Sequence, residues 1–155
     1  MSEAAQPIML PDDEPVLALA SQGDRAAQAL MVDHVIACAN AGNIPIGVAL
    51  GAAEVFARMA AADGSIAHRR KLSGVLLWQA ENLWNSGYYE RSRVYQVEAV
   101  EGMSRLADDG DEHAAALLSQ YAGAFDPSIL QLASEMARAI DSATDTGNPD
   151  PTTLH

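Results

Sequence analysis

The residues that could do chemistry in this chain are few and lie far apart in the sequence. Its four histidines, His34, His68, His113 and His155, lack the spacing of metal ligands. Asp33 and His34 are adjacent, but successive residues of a helix point about 100° apart and cannot face one site together. Glycine-rich phosphate loops, serine-nucleophile motifs and zinc-protease motifs do not occur. The sequence therefore predicts no catalytic residues, no cofactor and no metal site.

An acidic run, residues 108–112, is the candidate for a calcium loop. It lacks the alternating acidic positions and the distal glutamate of an EF-hand. A helix junction accounts for the same residues, because Gly110 would close one helix and Asp111 would cap the next. The acidic side chains would also suit the N-terminal dipole of that helix. We interpret the run as a junction between helices.

Three consecutive cations, Arg69, Arg70 and Lys71, are unusually placed. They occupy the second turn of the fourth predicted helix, where the helix dipole disfavours positive charge by about 0.3–1 kcal/mol. An acidic partner would bind this cluster, so the three residues are candidate partner-binding residues. The alternative is that nearby carboxylates, such as Asp63 and Glu54, balance their charge within the chain.

The fourth predicted helix also carries two apolar stripes at helical spacing, one more than a simple two-helix hairpin needs to bury. The first stripe comprises Leu72, Leu76, Ala80 and Leu83, and the second comprises Leu77, Glu81, Trp84 and Tyr88. Two interpretations of the second stripe stay open. It packs against a neighbouring helix, or it forms an exposed aromatic surface of the kind that dominates protein interfaces.

Glycines mark the ends of the helices that would position these residues. A glycine after a helix adopts the left-handed conformation, and a following Asp, Asn or Ser accepts hydrogen bonds from the first N–H groups of the next helix. The breaks are Gly23-Asp24, Gly42-Asn43, Gly64-Ser65, Gly87-Tyr88 and Gly110-Asp111. They predict helices over residues 14–22, 24–41, 44–62, 66–86, 88–109, 112–122 and 128–142. The predicted fold is all-α, with antiparallel helical hairpins joined by short turns.

One domain, residues 12–142, would hold these helices, between a disordered arm at 1–11 and a disordered tail at 143–155. The formal net charge of −12 makes nucleic acid an unfavourable partner. The longest apolar run, residues 44–62, is interrupted by charges, proline and glycines, so no membrane span is expected. A single cysteine, Cys38, and the lack of a secretion signal in residues 1–14 predict a cytoplasmic location.

Apolar residues surround most of the second predicted helix, which is typical of a helix at the centre of a fold. Its apolar residues are Leu30, Met31, Val32, Val35, Ile36 and Cys38. The last predicted helix has one apolar side and would cap the array of helices. If that side is exposed instead, we expect a homodimer.

The segment 73–106 resembles a tetratricopeptide repeat, a helix–turn–helix unit of about 34 residues. The family pattern places small residues where two helices cross, a glycine near the turn and an aromatic residue just after it. The matching residues, in order, are Ala80, Leu83, Gly87, Tyr89, Ser92 and Ala99. The resemblance implies that Tyr89 fills the wedge beside the turn and that the fourth helix lines the inner, concave face.

Residues 20–27 and 107–114 are similar to the related Sel1-like repeats, because both follow the pattern Ala-x-x-Gly-Asp-x-x-Ala. Consecutive hairpins would be about 41 to 46 residues apart, which is longer than the tetratricopeptide period. The resemblance implies a stacked α-α solenoid that binds a protein or peptide and has no activity of its own. The alternatives are a helical bundle that holds an apolar small molecule and an enzyme with a dispersed site.

Overall fold

The computed structural model describes residues 13–121 and 123–146. Within these residues all regular secondary structure is helical and no strand occurs, which confirms the all-α prediction. The helices are α1 (Asp13–Ser21), α2 (Arg25–Asn40), α3 (Ile46–Ala61), α4 (Ile66–Asn85), α5 (Tyr89–Asp108), α6 (Glu112–Tyr121) and α7 (Pro127–Thr146). None of these described helices combines the length and the apolar character that crossing a membrane requires.

The last helix, α7, continues to Thr146, beyond the predicted end at Ser142. The arm predicted to be disordered, residues 1–11, lies outside the described residues, and so does the part of the predicted tail that follows Thr146.

The helices end where the glycine pattern predicts. Gly87 and Gly110 have φ angles of 84° and 94°, in the left-handed region that favours glycine, and both close long helices. Asp24 caps α2 through a hydrogen bond from the Ala27 N–H, at 2.8 Å. The prediction that Asn43 caps the third helix is wrong. That helix begins at Ile46, two residues after its predicted start at residue 44. It follows Pro45, whose side chain cannot accept a hydrogen bond.

Each helix from α1 to α5 packs against the next one in the chain, and α5 also packs against α7. The largest group of buried residues joins α4, α5, α6 and α7, so α5 is the central helix. The prediction that α2 is central is wrong. In the described residues, α2 lies near one end of the array, and its Leu30 is 56% exposed.

Three polar side-chain contacts link helices that are two positions apart in the chain. Lys71 on α4 reaches the carboxylate of Asp33 on α2, at 2.7 Å. Arg58 on α3 binds the carboxylate of Glu98 on α5, at 2.8 Å. Arg105 on α5 donates to the Ala137 carbonyl on α7, at 3.2 Å. These contacts join α2 to α4, α3 to α5, and α5 to α7.

Small residues let α4 and α5 approach closely. The Ser92 hydroxyl, fully buried, donates to the Ala80 carbonyl at 2.6 Å, so the side chain of one helix contacts the backbone of the other. Further along the same crossing, a Cβ added at Gly102 would lie 2.9 Å from the Ser73 hydroxyl. These contacts hold α4 firmly against α5.

The apolar side of α7 is divided between the core and the surface. Ile129 and Ala133 are buried against α5, whereas Leu132 and Ile140 are partly exposed. The homodimer through this helix stays a prediction.

Candidate functional site

The two groups of candidate residues on α4 lie at opposite ends of the helix. Arg70 and Trp84 are fourteen positions apart in the sequence, which corresponds to about 21 Å along a helix at 1.5 Å per residue. The basic cluster and the aromatic stripe therefore form two separate regions. We call them the basic end and the aromatic end of α4.

At the basic end, each cation is held by a carboxylate from another part of the chain. Arg69 binds Asp109, at the C-terminus of α5, at 2.6 Å. Lys71 binds Asp33 at 2.7 Å and the Ala29 carbonyl at 3.2 Å, both on α2.

Arg70 forms the most extensive of these contacts. Its guanidinium donates to both carboxylate oxygens of Asp111, at 2.7 and 3.0 Å, and the Asp111 side chain is only 3% exposed. The same carboxylate accepts the His113 N–H at 3.3 Å, in the first turn of α6. The hydrogen bond from Arg70 lowers the pKa of Asp111, because it favours the charged form. Asp111 therefore joins the start of α6 to α4.

The carboxylates proposed from sequence to balance the basic cluster have other partners. Asp63 accepts the Ser65 N–H and contacts His68, at the start of α4. Glu54 pairs with Arg58 on its own helix, at 3.3 Å. The balancing charges come instead from residues that are distant in sequence, namely Asp33 within α2 and the carboxylates of Asp109 and Asp111 at helix ends. These contacts favour the structural interpretation of the basic cluster over a docking site.

At the aromatic end, an open groove lies between α4, the end of α6 and the turn that follows α6. Its volume is about 590 Å³, within the range of about 300–1,000 Å³ that is typical of ligand sites. The residues that line it are Gly74, Leu77, Trp78, Ala80, Glu81, Trp84, Gln96, Tyr121, Ala124 and Phe125. We call this surface the aromatic groove.

Three of the four residues in the predicted second stripe line the aromatic groove. Leu77 is half-buried and packs against the core below the groove, whereas Trp84 is 51% exposed. Glu81 is exposed between them. Tyr88 is 56% exposed but lies beyond the end of α4, outside the groove lining. The two sequence interpretations therefore apply to different residues, since Leu77 packs inward and Trp84 faces outward.

Sequence reasoning missed the other aromatic residues of the groove. Trp78 lies on α4 three positions before Glu81, and this helical spacing could have identified it. Tyr121 and Phe125 come from the end of α6 and the turn after it. No local pattern places them beside α4, because their position depends on how α6 packs.

Aromatic contacts hold the edges of the groove. The rings of Trp84 and Tyr89 meet edge to face, with centroids 4.6 Å apart. Those of Tyr121 and Phe125 are 6.2 Å apart. Tyr89 was expected to fill the wedge beside the turn, but it is half exposed and supports Trp84 instead. Such pairs contribute about 0.5–1.5 kcal/mol beyond the area that they bury.

Among the described residues that line the aromatic groove, Glu81 is the only Asp, Glu, Lys or Arg. No cation among the described residues forms an ion pair with it. Six of the nine Lys and Arg residues hold a described carboxylate elsewhere: Arg58, Arg69, Arg70, Lys71, Arg93 and Arg105. The groove thus combines aromatic faces with one uncompensated negative charge.

A second groove lies between α5 and α7 and has a similar volume, about 600 Å³. Its walls are aliphatic, with Val94, Leu132 and Met136 among them, and they carry charges of both signs. Interfaces derive most of their affinity from Trp, Tyr and Arg residues rather than from Leu and Val. The aromatic groove is therefore the stronger candidate for a binding site.

In the described part of the chain, no three His, Cys, Asp or Glu side chains are grouped so that they could hold a metal ion. The chain matches no family model, no curated protein and no solved structure. The resemblance to tetratricopeptide and Sel1-like repeats therefore stays a prediction.

Proposed function

We propose that this protein is a non-catalytic interaction module of the helical-repeat type, and that the aromatic groove is its partner-binding surface. The observation that carries the proposal is the exposure of Trp84 in a groove that it shares with Trp78, Tyr121 and Phe125. Large aromatic side chains are the residues most enriched in binding hot spots. Leaving several of them at one open surface is unfavourable unless a partner covers them.

The contacts between alternate helices support the repeat arrangement. Arg58 binds a residue 40 positions later and Arg70 one 41 positions later, close to the hairpin spacing of the glycine pattern. Such contacts are expected when hairpins stack in a row and each contacts its neighbours. In the tetratricopeptide arrangement, α2, α4 and α6 would form the inner face, which is the face that carries the aromatic groove.

The openness of the groove favours a protein partner over an enclosed small molecule. A helical bundle that stores an apolar ligand would need a closed cavity between helices. Here Leu77 and Ala80 form the floor, while Trp84 and Tyr121 reach solvent at the rim. A polypeptide can lie across such a surface.

Affinity capture with and without Trp84 tests the proposal. The bait is the folded protein, and we compare the wild type with Trp84→Ala in lysate of the source cell. Truncation of a hot-spot residue costs about 2 kcal/mol or more, so the variant should lose specific partners by roughly thirtyfold. Circular dichroism and thermal unfolding would establish that the variant is folded.

Val94→Ala is the matched control, because Val94 is exposed in the second groove. This variant should retain the same partners as the wild type. Recovery of identical proteins by wild type and folded Trp84→Ala would remove the basis of the proposal.

A further inference from the structure

We infer that the aromatic groove selects a basic amphipathic helix of the partner protein, with a Lys or Arg side chain bound at Glu81. This inference rests on the proposed function and adds the chemistry of the partner. Its first support is charge complementarity, because Glu81 is the only Asp, Glu, Lys or Arg among the described lining residues and has no cation partner among the residues that the structure describes. The chain as a whole, at −12, also attracts a basic partner.

The aromatic walls suit the same cation. A Lys ammonium or Arg guanidinium is attracted to the face of Trp or Tyr within about 6 Å of the ring centroid. Trp78 and Trp84 lie three residues on either side of Glu81, so a cation bound to the carboxylate comes close to both indole rings. The stems of Lys and Arg are apolar and would pack against Leu77.

The shape of the α4 wall suits a helix. The α4 residues that line the groove extend from Gly74 to Trp84. The wall is therefore ten positions long, or about 15 Å. Ten residues of a partner helix cover the same length and would bury apolar side chains at positions three and four apart. Gly74 leaves the basic-end part of the wall open, because a Cβ added there would meet no atom within 4 Å.

The free cation of the neighbouring helix does not neutralise Glu81. Arg91, at the start of α5, has no carboxylate partner among the described residues and is not among the residues that line the groove. The negative charge in the groove remains available to a partner.

Two synthetic helical peptides test the inference. Each has about 15 residues, the same leucine stripe and no tryptophan, and the flanking positions carry Lys and Arg in one peptide and Glu in the other. Both tryptophans of the protein, Trp78 and Trp84, line the groove, so their fluorescence reports binding directly. The basic peptide should bind saturably and the acidic peptide at least tenfold more weakly.

Variants of Glu81 identify the group responsible. E81Q should weaken the basic peptide about threefold to fivefold, as expected for a partly exposed ion pair, and E81K should favour the acidic peptide. E135Q is the matched control, because it makes the same change in net charge on α7, outside the aromatic groove. This control should bind the basic peptide as the wild type does.

The outcomes separate the partner chemistry from the proposed function. Equal binding of both peptides, with no effect of E81Q, would overturn the selectivity and leave the groove as an interaction surface. Binding of neither peptide would overturn the inference, even if Trp84→Ala still loses its partner in the capture experiment. Capture that does not depend on Trp84 would overturn the proposed function itself.

Discussion

The two ends of α4 differ in whether their unusual side chains have partners within the fold. At the basic end, Arg69, Arg70 and Lys71 look like a docking site in the sequence, yet each is bound to a carboxylate of another helix or helix end. At the aromatic end, Trp84 is half exposed and Glu81 has no ion-pair partner among the described residues. The basic cluster, which resembles a docking site in the sequence, is therefore occupied by contacts within the fold.

This difference shows where to look for function in a helical array. Charges that an isolated helix would disfavour are balanced by neighbouring helices, so a charge cluster alone says little about partners. The aromatic side chains that the helices leave exposed have no such explanation among the residues that the structure describes. We therefore expect the contacts of the basic end to contribute to the stability of the fold and those of the aromatic end to contribute little.

The largest expected effect comes from the core beneath both ends. Leu76 is 2% exposed, at the centre of the largest buried cluster, and Leu76→Ala should lower the free energy of unfolding by about 2–5 kcal/mol. Trp84→Ala removes one edge-to-face contact, with Tyr89, and should cost less than about 1.5 kcal/mol. Urea unfolding measures both values. Equal losses would mean that the aromatic end is part of the core.

The next effect compares two carboxylates, one at each end of α4. Asp111→Ala removes the partner of Arg70 and a hydrogen-bond acceptor of the first turn of α6, so the Tm should fall by several degrees. Glu81→Ala removes a carboxylate without an ion-pair partner among the described residues, so the Tm should stay close to that of the wild type. Thermal unfolding by circular dichroism distinguishes them. A larger loss for Glu81→Ala would reverse the comparison.

Acid should destabilise the fold through carboxylates at helix starts. Hydrogen bonds from the Ser65 and Ser128 N–H groups lower the pKa of Asp63 and of Asp126, and a guanidinium lowers the pKa of Asp111, from an ordinary value of 3.8. Because these groups bind protons more readily in the unfolded chain, their contribution to stability is present above about pH 4 and is lost as the pH falls further.

Denaturant unfolding between pH 6 and pH 2 checks this dependence. Asp111→Asn removes one of the titrating groups, so its loss of stability below about pH 4 should be smaller than that of the wild type. Identical pH profiles would mean that the contact of Asp111 with Arg70 does not contribute to the loss of stability in acid.

The smallest effect is expected at the α4 wall of the groove. Gly74 lies inside α4 in open space, so Gly74→Ala should stabilise the helix by about 0.5–1 kcal/mol. Gly102→Ala is the contrasting change, because its Cβ would lie 2.9 Å from the Ser73 hydroxyl, which would have to move, so the gain in stability should be smaller than for Gly74→Ala. Urea unfolding measures both changes. Destabilisation by Gly74→Ala would show that other atoms of the protein occupy the space beside Gly74.

Much of the fold could be predicted from the sequence, because the residues that end one helix and begin the next act locally. A left-handed glycine such as Gly110 and a cap such as Asp24 act within a few residues, so the helix boundaries follow from short patterns. The position of each helix in the array depends on packing between distant residues. That is why Leu30 is exposed on a helix that looked central, and why α5 occupies the centre instead.

The candidate site could be predicted only in part. Leu77, Glu81 and Trp84 follow from the spacing on a single helix, whereas Tyr121 and Phe125 reach the groove through the packing of α6. The partners of the basic cluster lie about 40 residues away in sequence, beyond any pattern within one helix.

Fluorescence quenching of Trp84 tests most directly whether the aromatic end is an open binding surface. The variant Trp78→Phe leaves Trp84 as the only tryptophan of the chain. We predict that acrylamide quenches Trp84 readily in the free protein and much less when the basic peptide is bound. Weak quenching in the free protein, or quenching that the peptide does not change, would contradict this account.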